Sequence, residues 1–140
     1  FIVAARNSVF VMAYSGVALS PDGGGSWSLA RTLPRQLASE LLMLGERIGA
    51  ERLQALGVVN QVSESGEALA QALALAKRLN ARAPNSLASI KELLNEAPLN
   101  PMTTHLAQER DHFVRNLHHA NAGIGIAAFL AKEKPHYKPA

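Results

Sequence analysis

Two short apolar runs open the chain, residues 1–5 and 9–14, with the polar triplet Arg6-Asn7-Ser8 between them. Runs of that length predict strands, and the triplet suits a turn. The segment Ser20-Pro21-Asp22-Gly23-Gly24-Gly25 then predicts a tight loop, because proline fixes its own φ and glycine reaches conformations closed to other residues. Beyond it the apolar spacing turns helical. Residues 27–31 begin a helix that Pro34 ends or kinks, and Leu37, Leu41 and Leu44 repeat at helical spacing up to Gly45. Residues 50–56 form a short helix stopped by Gly57, a favourable left-handed cap, and residues 58–62 read as a brief strand.

The rest of the pattern predicts helices only. Residues 67–82 carry Leu69, Ala72, Leu73, Ala76 and Leu79 on one face; Pro84 closes that helix, and Leu87, Ile90 and Leu94 mark the next. Pro98 and Pro101 bracket a connection. Residues 102–120 form the longest helix, with Leu106, Phe113 and Leu117 inward, and a last helix covers 124–132 before Pro135. The fold class is therefore mainly α with a short β segment, an α/β chain. One or two strands cannot close a sheet, because a single pair leaves its edges and one face uncovered. The remaining strands are expected from a missing part of the protein or from another subunit.

At 140 residues the chain has the length of one ordinary domain. Apolar residues make up 48 % and charged residues 18 %, a globular balance, and no apolar run approaches the roughly 18 residues needed to cross a bilayer. Without a charged-then-apolar leader at its start, the expectation is a soluble, cytoplasmic protein with no membrane partner. The chain opens on a continuous apolar run with no initiator methionine, which reads as a strand caught mid-sheet. The absence of cysteine excludes disulfide frameworks and thiolate metal sites. A net charge of +3 with scattered basic residues argues against nucleic acid as a partner.

Two clusters invite a chemical reading. His105, His112 and His119 fall seven apart on the longest helix with Glu109 between the first two. Glu109 and His112 have the Glu-x-x-His spacing of carboxylate-bridged metal sites, but such sites need a second such pair on a facing helix, and none appears. No metal is expected, and a solvated or subunit-facing histidine row is the better account. The glycine-rich loop makes a poor phosphate cradle, since no lysine follows it and Asp22 would repel phosphate. Glycines that let the backbone pass close to a ligand or a neighbouring strand are the better account.

Phe10, the loop Leu19-Ser20-Pro21-Asp22-Gly23-Gly24-Gly25, and the stretch from Leu41-Leu42-Met43-Leu44-Gly45 through Ile48-Gly49-Ala50 occur in a specific order. In that order they resemble the central signature of the enoyl-CoA hydratase/isomerase (crotonase) family. Leu56-Gly57-Val58-Val59-Asn60-Gln61-Val62 is similar to the family's leucine-glycine-leucine-valine-asparagine segment, and Ala128-Phe129-Leu130-Ala131-Lys132-Glu133-Lys134-Pro135 to its terminal motif. The resemblance covers nearly the whole chain. It implies the C-terminal part of a fold of stacked ββα units, followed by a helical region that makes a trimer. Residues 1–62 would be the end of the ββα core with its active-site loop, and residues 63–140 the helical oligomerisation region.

The ligand so implied is an acyl-CoA thioester, with no separate cofactor because coenzyme A enters as part of the substrate. In the family two backbone amides hold the thioester oxygen and stabilise the enolate, each such donor being worth roughly 3 kcal/mol. The resemblance begins after the point where the family places those amides and its first catalytic glutamate. The missing N-terminal half of the same protein is thus an expected partner, together with further copies in a homo-oligomer, and the isolated chain is expected to turn over little.

Typical hydratases hold a second carboxylate four residues after the phenylalanine matched by Phe10, and Tyr14 stands there. The isomerase and ring-opening branches instead carry an acid right after the loop proline, where this chain has Asp22. Asp22 is the candidate acid/base for proton transfer or double-bond isomerisation; a turn or helix-cap aspartate is the plainer alternative. Tyr14, Gly23, Gly24, Trp27 and Met43 are candidates for the acyl pocket, though Trp27 and Met43 also fit a plain core. Phe113, Phe129 and Lys132 match the family's coenzyme A contacts, an aromatic face for adenine and a point charge for phosphate. Phe113 equally fits the buried stripe of its helix. Asn121-Ala122-Gly123-Ile124-Gly125 departs from the family's acidic motif ahead of the last helix, so a different subunit contact is expected there. A non-catalytic helical oligomerisation module is the alternative function.

Overall fold

The computed structural model describes residues 1–138, and the chain divides into two compact units, Phe1–Leu75 and Ala76–Ala140. In the first unit, β1 (Val3–Ala5) runs parallel to β4 (Gln61–Ser63), with Ala4 opposite Val62. The second apolar run supplies β2 (Val9–Phe10), which pairs antiparallel with β3 (Ile48–Gly49), Phe10 opposite Ile48. The polar triplet does make a turn, with Ser8 N donating to Ala5 O at 2.8 Å. It carries the chain from one two-stranded sheet to another instead of closing a hairpin.

The second run was expected to stay extended to residue 14, but it ends at Phe10. Residues Ala13–Val17 form a 3-10 turn, closed by Ala18 in a left-handed conformation whose N–H bonds to Ser15 O. The strand expected at 58–62 starts only at Gln61 for an equally local reason. The amides of Val58 and Val59 both bond to Leu53 O, at 2.9 and 3.2 Å, and so fold back on the helix before them. That helix, α3 (Ala50–Ala55), follows α1 (Gly25–Thr32) and α2 (Arg35–Leu44). Pro34 separates α1 from α2 as expected, holding Leu33 extended.

Two small apolar clusters hold this unit together. Ala4, Ala50, Leu53 and Val59 are buried together, and Leu33, Ala38 and Leu41 form the other, with Ile48 and Val58 packed against both. At the strand ends the exposed Arg6 guanidinium joins Glu51 and Glu64. Bonding to Glu64 and the charge of both glutamates raise its pKa.

The later chain contains α4 (Ala68–Asn80), α5 (Pro84–Glu96), α6 (Met102–Leu117) and α7 (Ala120–Ala131). Among the described residues no helix is long and apolar enough to cross a membrane. The face of α6 expected to turn inward does not: Leu106, Phe113 and Leu117 are exposed, and so are Leu69 and Leu73 on α4. In the second unit α6 instead lays its polar stripe on α5. Gln108 donates to Glu96, His112 Nε2 lies 3.6 Å from Glu92, and Asn116 donates to Ser89 Oγ at 2.9 Å. Hydrogen-bond partners on α5 decide the rotation, and the apolar stripe is left outward.

The histidine row is likewise broken up. His105 and His112 are largely buried, each with an Nδ1 that has no partner among the described residues. His119 instead caps α7, its Nδ1 accepting from Asn121 N at 3.1 Å, which is why α7 starts before the expected Ile124. The expectation of a solvated row thus fails for His105 and His112, whose side chains are 18 % and 14 % exposed, while His119 is exposed.

Candidate active site

The stretch from Tyr14 to the start of α1 is the part of the molecule with a recognisable chemical geometry. Tyr14 sits in the 3-10 turn, where its carbonyl accepts from Leu19 N at 3.0 Å and reverses the chain. Pro21 and Asp22 follow, and Gly23 and Gly24 then take positive φ, 57° and 84°. Residues with a Cβ enter that region at a cost, so this is where the glycine run is needed. Gly25 N closes the turn on Asp22 O at 3.1 Å and α1 begins.

These turns bring two side chains eight residues apart into contact. The Tyr14 hydroxyl donates to Asp22 Oδ1 at 2.7 Å. That distance is ordinary for an O–H···O hydrogen bond. Donation to Asp22 and the charge of the carboxylate together raise the Tyr14 pKa above its usual 10.0. The helix-cap alternative for Asp22 gains no support, because Gly24 is the N-cap of α1 and, among the described residues, the one side-chain bond of Asp22 goes to Tyr14. The turn role is real but uses the backbone oxygen alone. Asp22 itself is exposed.

Trp27 on α1 and Met43 on α2 are 62 % and 71 % exposed, so neither is core in this chain. Arg31, which the sequence reading missed, lies over the Trp27 ring at 4.0 Å, a cation–π pair at the i+4 spacing of a helix. The cavity beneath Phe10, Leu41 and Leu53 measures about 40 Å³ and could hold little more than a water molecule. No acyl chain fits it.

In the second unit an open groove of about 590 Å³ runs between Ile90, Leu93, Phe113, Leu117 and Ile126, with Asn116 and Asn121 at its polar edge. Phe113 lines it. Phe129 and Lys132 do not: Phe129 is 81 % exposed on α7, and Lys132 is the left-handed cap that ends that helix. A polar network under the groove was also missed. Asn85, Ser89, Asn116 and Asn121 bond to one another in a chain, with Asn121 only 2 % exposed. Its signal in the sequence was weak, since asparagines on a helix are ordinarily read as solvated. Among the described residues no group of three histidine or acidic side chains could hold a metal.

A family model described as enoyl-CoA hydratase/isomerase matches residues 1–140. Among curated relatives, the chain is 36 % identical over 136 residues to a 1,2-epoxyphenylacetyl-CoA isomerase of Escherichia coli, covering 97 % of this chain and 52 % of the relative. It is 32 % identical over 142 residues to a carnitinyl-CoA dehydratase of Escherichia coli, covering 99 % and 54 %. The chain thus spans about half the length of the curated relatives it matches. Among solved structures it is similar to an enoyl-CoA hydratase from a Polaromonas species, with a TM-score of 0.96 and 69 % identity over 99 % of this chain and 54 % of that one. An enoyl-CoA hydratase from Mycobacterium tuberculosis gives a TM-score of 0.93 at 31 % identity, over 100 % and 56 % of the two chains.

Proposed function

The chain belongs to the enoyl-CoA hydratase/isomerase family, and on that premise we propose that it supplies the C-terminal half of an enzyme that moves a proton on an unsaturated acyl-CoA, with Asp22 as acid and base. The observation that carries this reading is the Tyr14–Asp22 pair. Where a hydratase would hold its second carboxylate there is a phenol, and the remaining carboxylate is exposed and uninvolved in capping. One positioned carboxylate suits proton transfer better than addition of water, which needs one group to activate water and another to deliver a proton.

In the reaction, Asp22 takes a proton from the α-carbon of a β,γ-unsaturated thioester. The electron pair of that C–H bond moves into the conjugated system and leaves a dienolate with its charge on the thioester oxygen. Backbone amides from the N-terminal half of the protein stabilise that charge. Protonated Asp22 then returns the proton to the γ-carbon, and the double bond ends one position closer to the carbonyl. Atoms and charge balance with no cofactor. Tyr14, Gly23, Gly24, Trp27 and Met43 are the residues proposed for the acyl end; Phe113, Phe129 and Lys132 are those that the family resemblance implies for coenzyme A, in this subunit or a neighbouring one. The names of these relatives, an isomerase and a dehydratase of CoA thioesters, support an acyl-CoA substrate.

The test is deuterium incorporation from deuterium oxide into the acyl chain, followed by NMR, using the active protein that carries this chain. Asp22→Asn should abolish incorporation. Wild-type incorporation in that variant would place the acid/base group outside this chain and leave it the second reading, a helical oligomerisation module that is itself non-catalytic, for which the exposed Leu106, Phe113 and Leu117 are the supporting observation.

A further inference from the structure

We infer that Tyr14 is a positioning residue for Asp22: its hydroxyl fixes the carboxylate by one oxygen and leaves the other to the substrate. The inference rests on the reading of Asp22 given above. Its geometric basis is the 2.7 Å bond from Tyr14 Oη to Asp22 Oδ1, and among the described residues Oδ2 takes no hydrogen bond. Both ends of the pair are anchored by backbone. Tyr14 O accepts from Leu19 N, and Asp22 O accepts from Gly25 N.

An exposed aspartate on a glycine-rich loop would otherwise turn freely about its side-chain torsions, and freezing them at each turnover costs rate. A phenol has one proton to give, and here it is given to Oδ1. Tyr14 therefore orients without competing for the substrate's proton. Its raised pKa keeps the phenol protonated and makes it a poorer acid, so it acts as a fixed donor and not as a relay. A carboxylate at the same position would repel Asp22 instead of holding it, and the pairing accordingly commits the site to single-carboxylate chemistry.

The experiment is a double-mutant cycle on the active protein that carries this chain, with kcat and KM measured for a β,γ-unsaturated acyl-CoA. Tyr14→Phe keeps the ring and removes the donor. It should lower kcat roughly tenfold, short of the 10² to 10⁴ of a full acid/base group, with KM within about twofold. In an Asp22→Asn background it should cost nothing further. If Asp22→Asn is inactive while Tyr14→Phe keeps full kcat, the positioning role alone is overturned. A rise in KM at unchanged kcat, or losses that multiply independently, overturns it as well. If Asp22→Asn is itself fully active, the acid/base reading falls and the positioning role falls with it.

Discussion

Asn121 grips the backbone of Lys138 from both sides, its Oδ1 accepting from the amide at 3.0 Å and its Nδ2 donating to the carbonyl at 3.3 Å. The same Nδ2 donates to Asn85 Oδ1, which ties the end of the described chain to α5 through a buried amide. Asn121→Ala would leave several of these groups without partners, at a cost of about 1–3 kcal/mol. Chemical denaturation should report that loss, and hydrogen exchange at the Lys138 amide should quicken. An unchanged midpoint with unchanged exchange would show that the network contributes nothing.

The first unit should be sensitive at Leu53. Its side chain is buried with Ala4, Ala50 and Val59, and its carbonyl receives the amides of both Val58 and Val59. Leu53→Ala removes side-chain volume from a cluster otherwise built of small residues, and the expected loss is about 2–4 kcal/mol in urea unfolding. A loss of a few tenths would mean that the cluster closes over the gap.

The Tyr14 phenol should ionise later than an ordinary tyrosine, because it donates to Asp22 and sits beside its charge. A group whose pKa is raised on folding contributes stability that is fully present below its unfolded value, here near 10.0, and is lost as pH rises through the folded value. The contribution is thus lost only at pH above 10.0. In the ultraviolet titration of phenolate, a late component should be present in the wild type, absent in Tyr14→Phe, and shifted back toward the ordinary value in Asp22→Asn. A component that does not move in Asp22→Asn would contradict the pairing in solution.

Assembly follows from the outward apolar stripe. Leu106, Phe113 and Leu117 on α6 are exposed together with Phe129 and Leu130 on α7, and apolar patches of this kind seldom stay open to water. Sedimentation at micromolar concentration should give a dimer or trimer, and Phe113→Lys should shift it toward monomer. A strictly monomeric wild type would count against a helical oligomerisation role.

Much of the fold was legible because proline, glycine and helical spacing mark boundaries locally. Pro34 and Gly45 bound α2 where the sequence placed them. The pairing of β1 with β4 was not legible, since it joins residues far apart in sequence, and β3 at two residues is too short to show a period. The rotation of α6 was misread for a different reason. Apolar spacing alone ignored what Gln108, His112 and Asn116 could bond to on α5. At the candidate site, Asp22 and Tyr14 were each singled out by position, but only the 3-10 turn and the glycine loop together bring them within hydrogen-bond distance.

The central claim is that Asp22 transfers the proton, and Asp22→Asn in the active protein that carries this chain tests it most directly. Asparagine keeps the size and turn-forming capacity of aspartate but has no basic oxygen able to accept the α-proton. The variant should retain the wild-type melting temperature while isomerising a β,γ-unsaturated acyl-CoA at least about a hundredfold more slowly, the lower end of what a positioned acid/base contributes. Isomerisation at the wild-type rate with the fold intact would contradict the account and return Asp22 to the role of a turn residue.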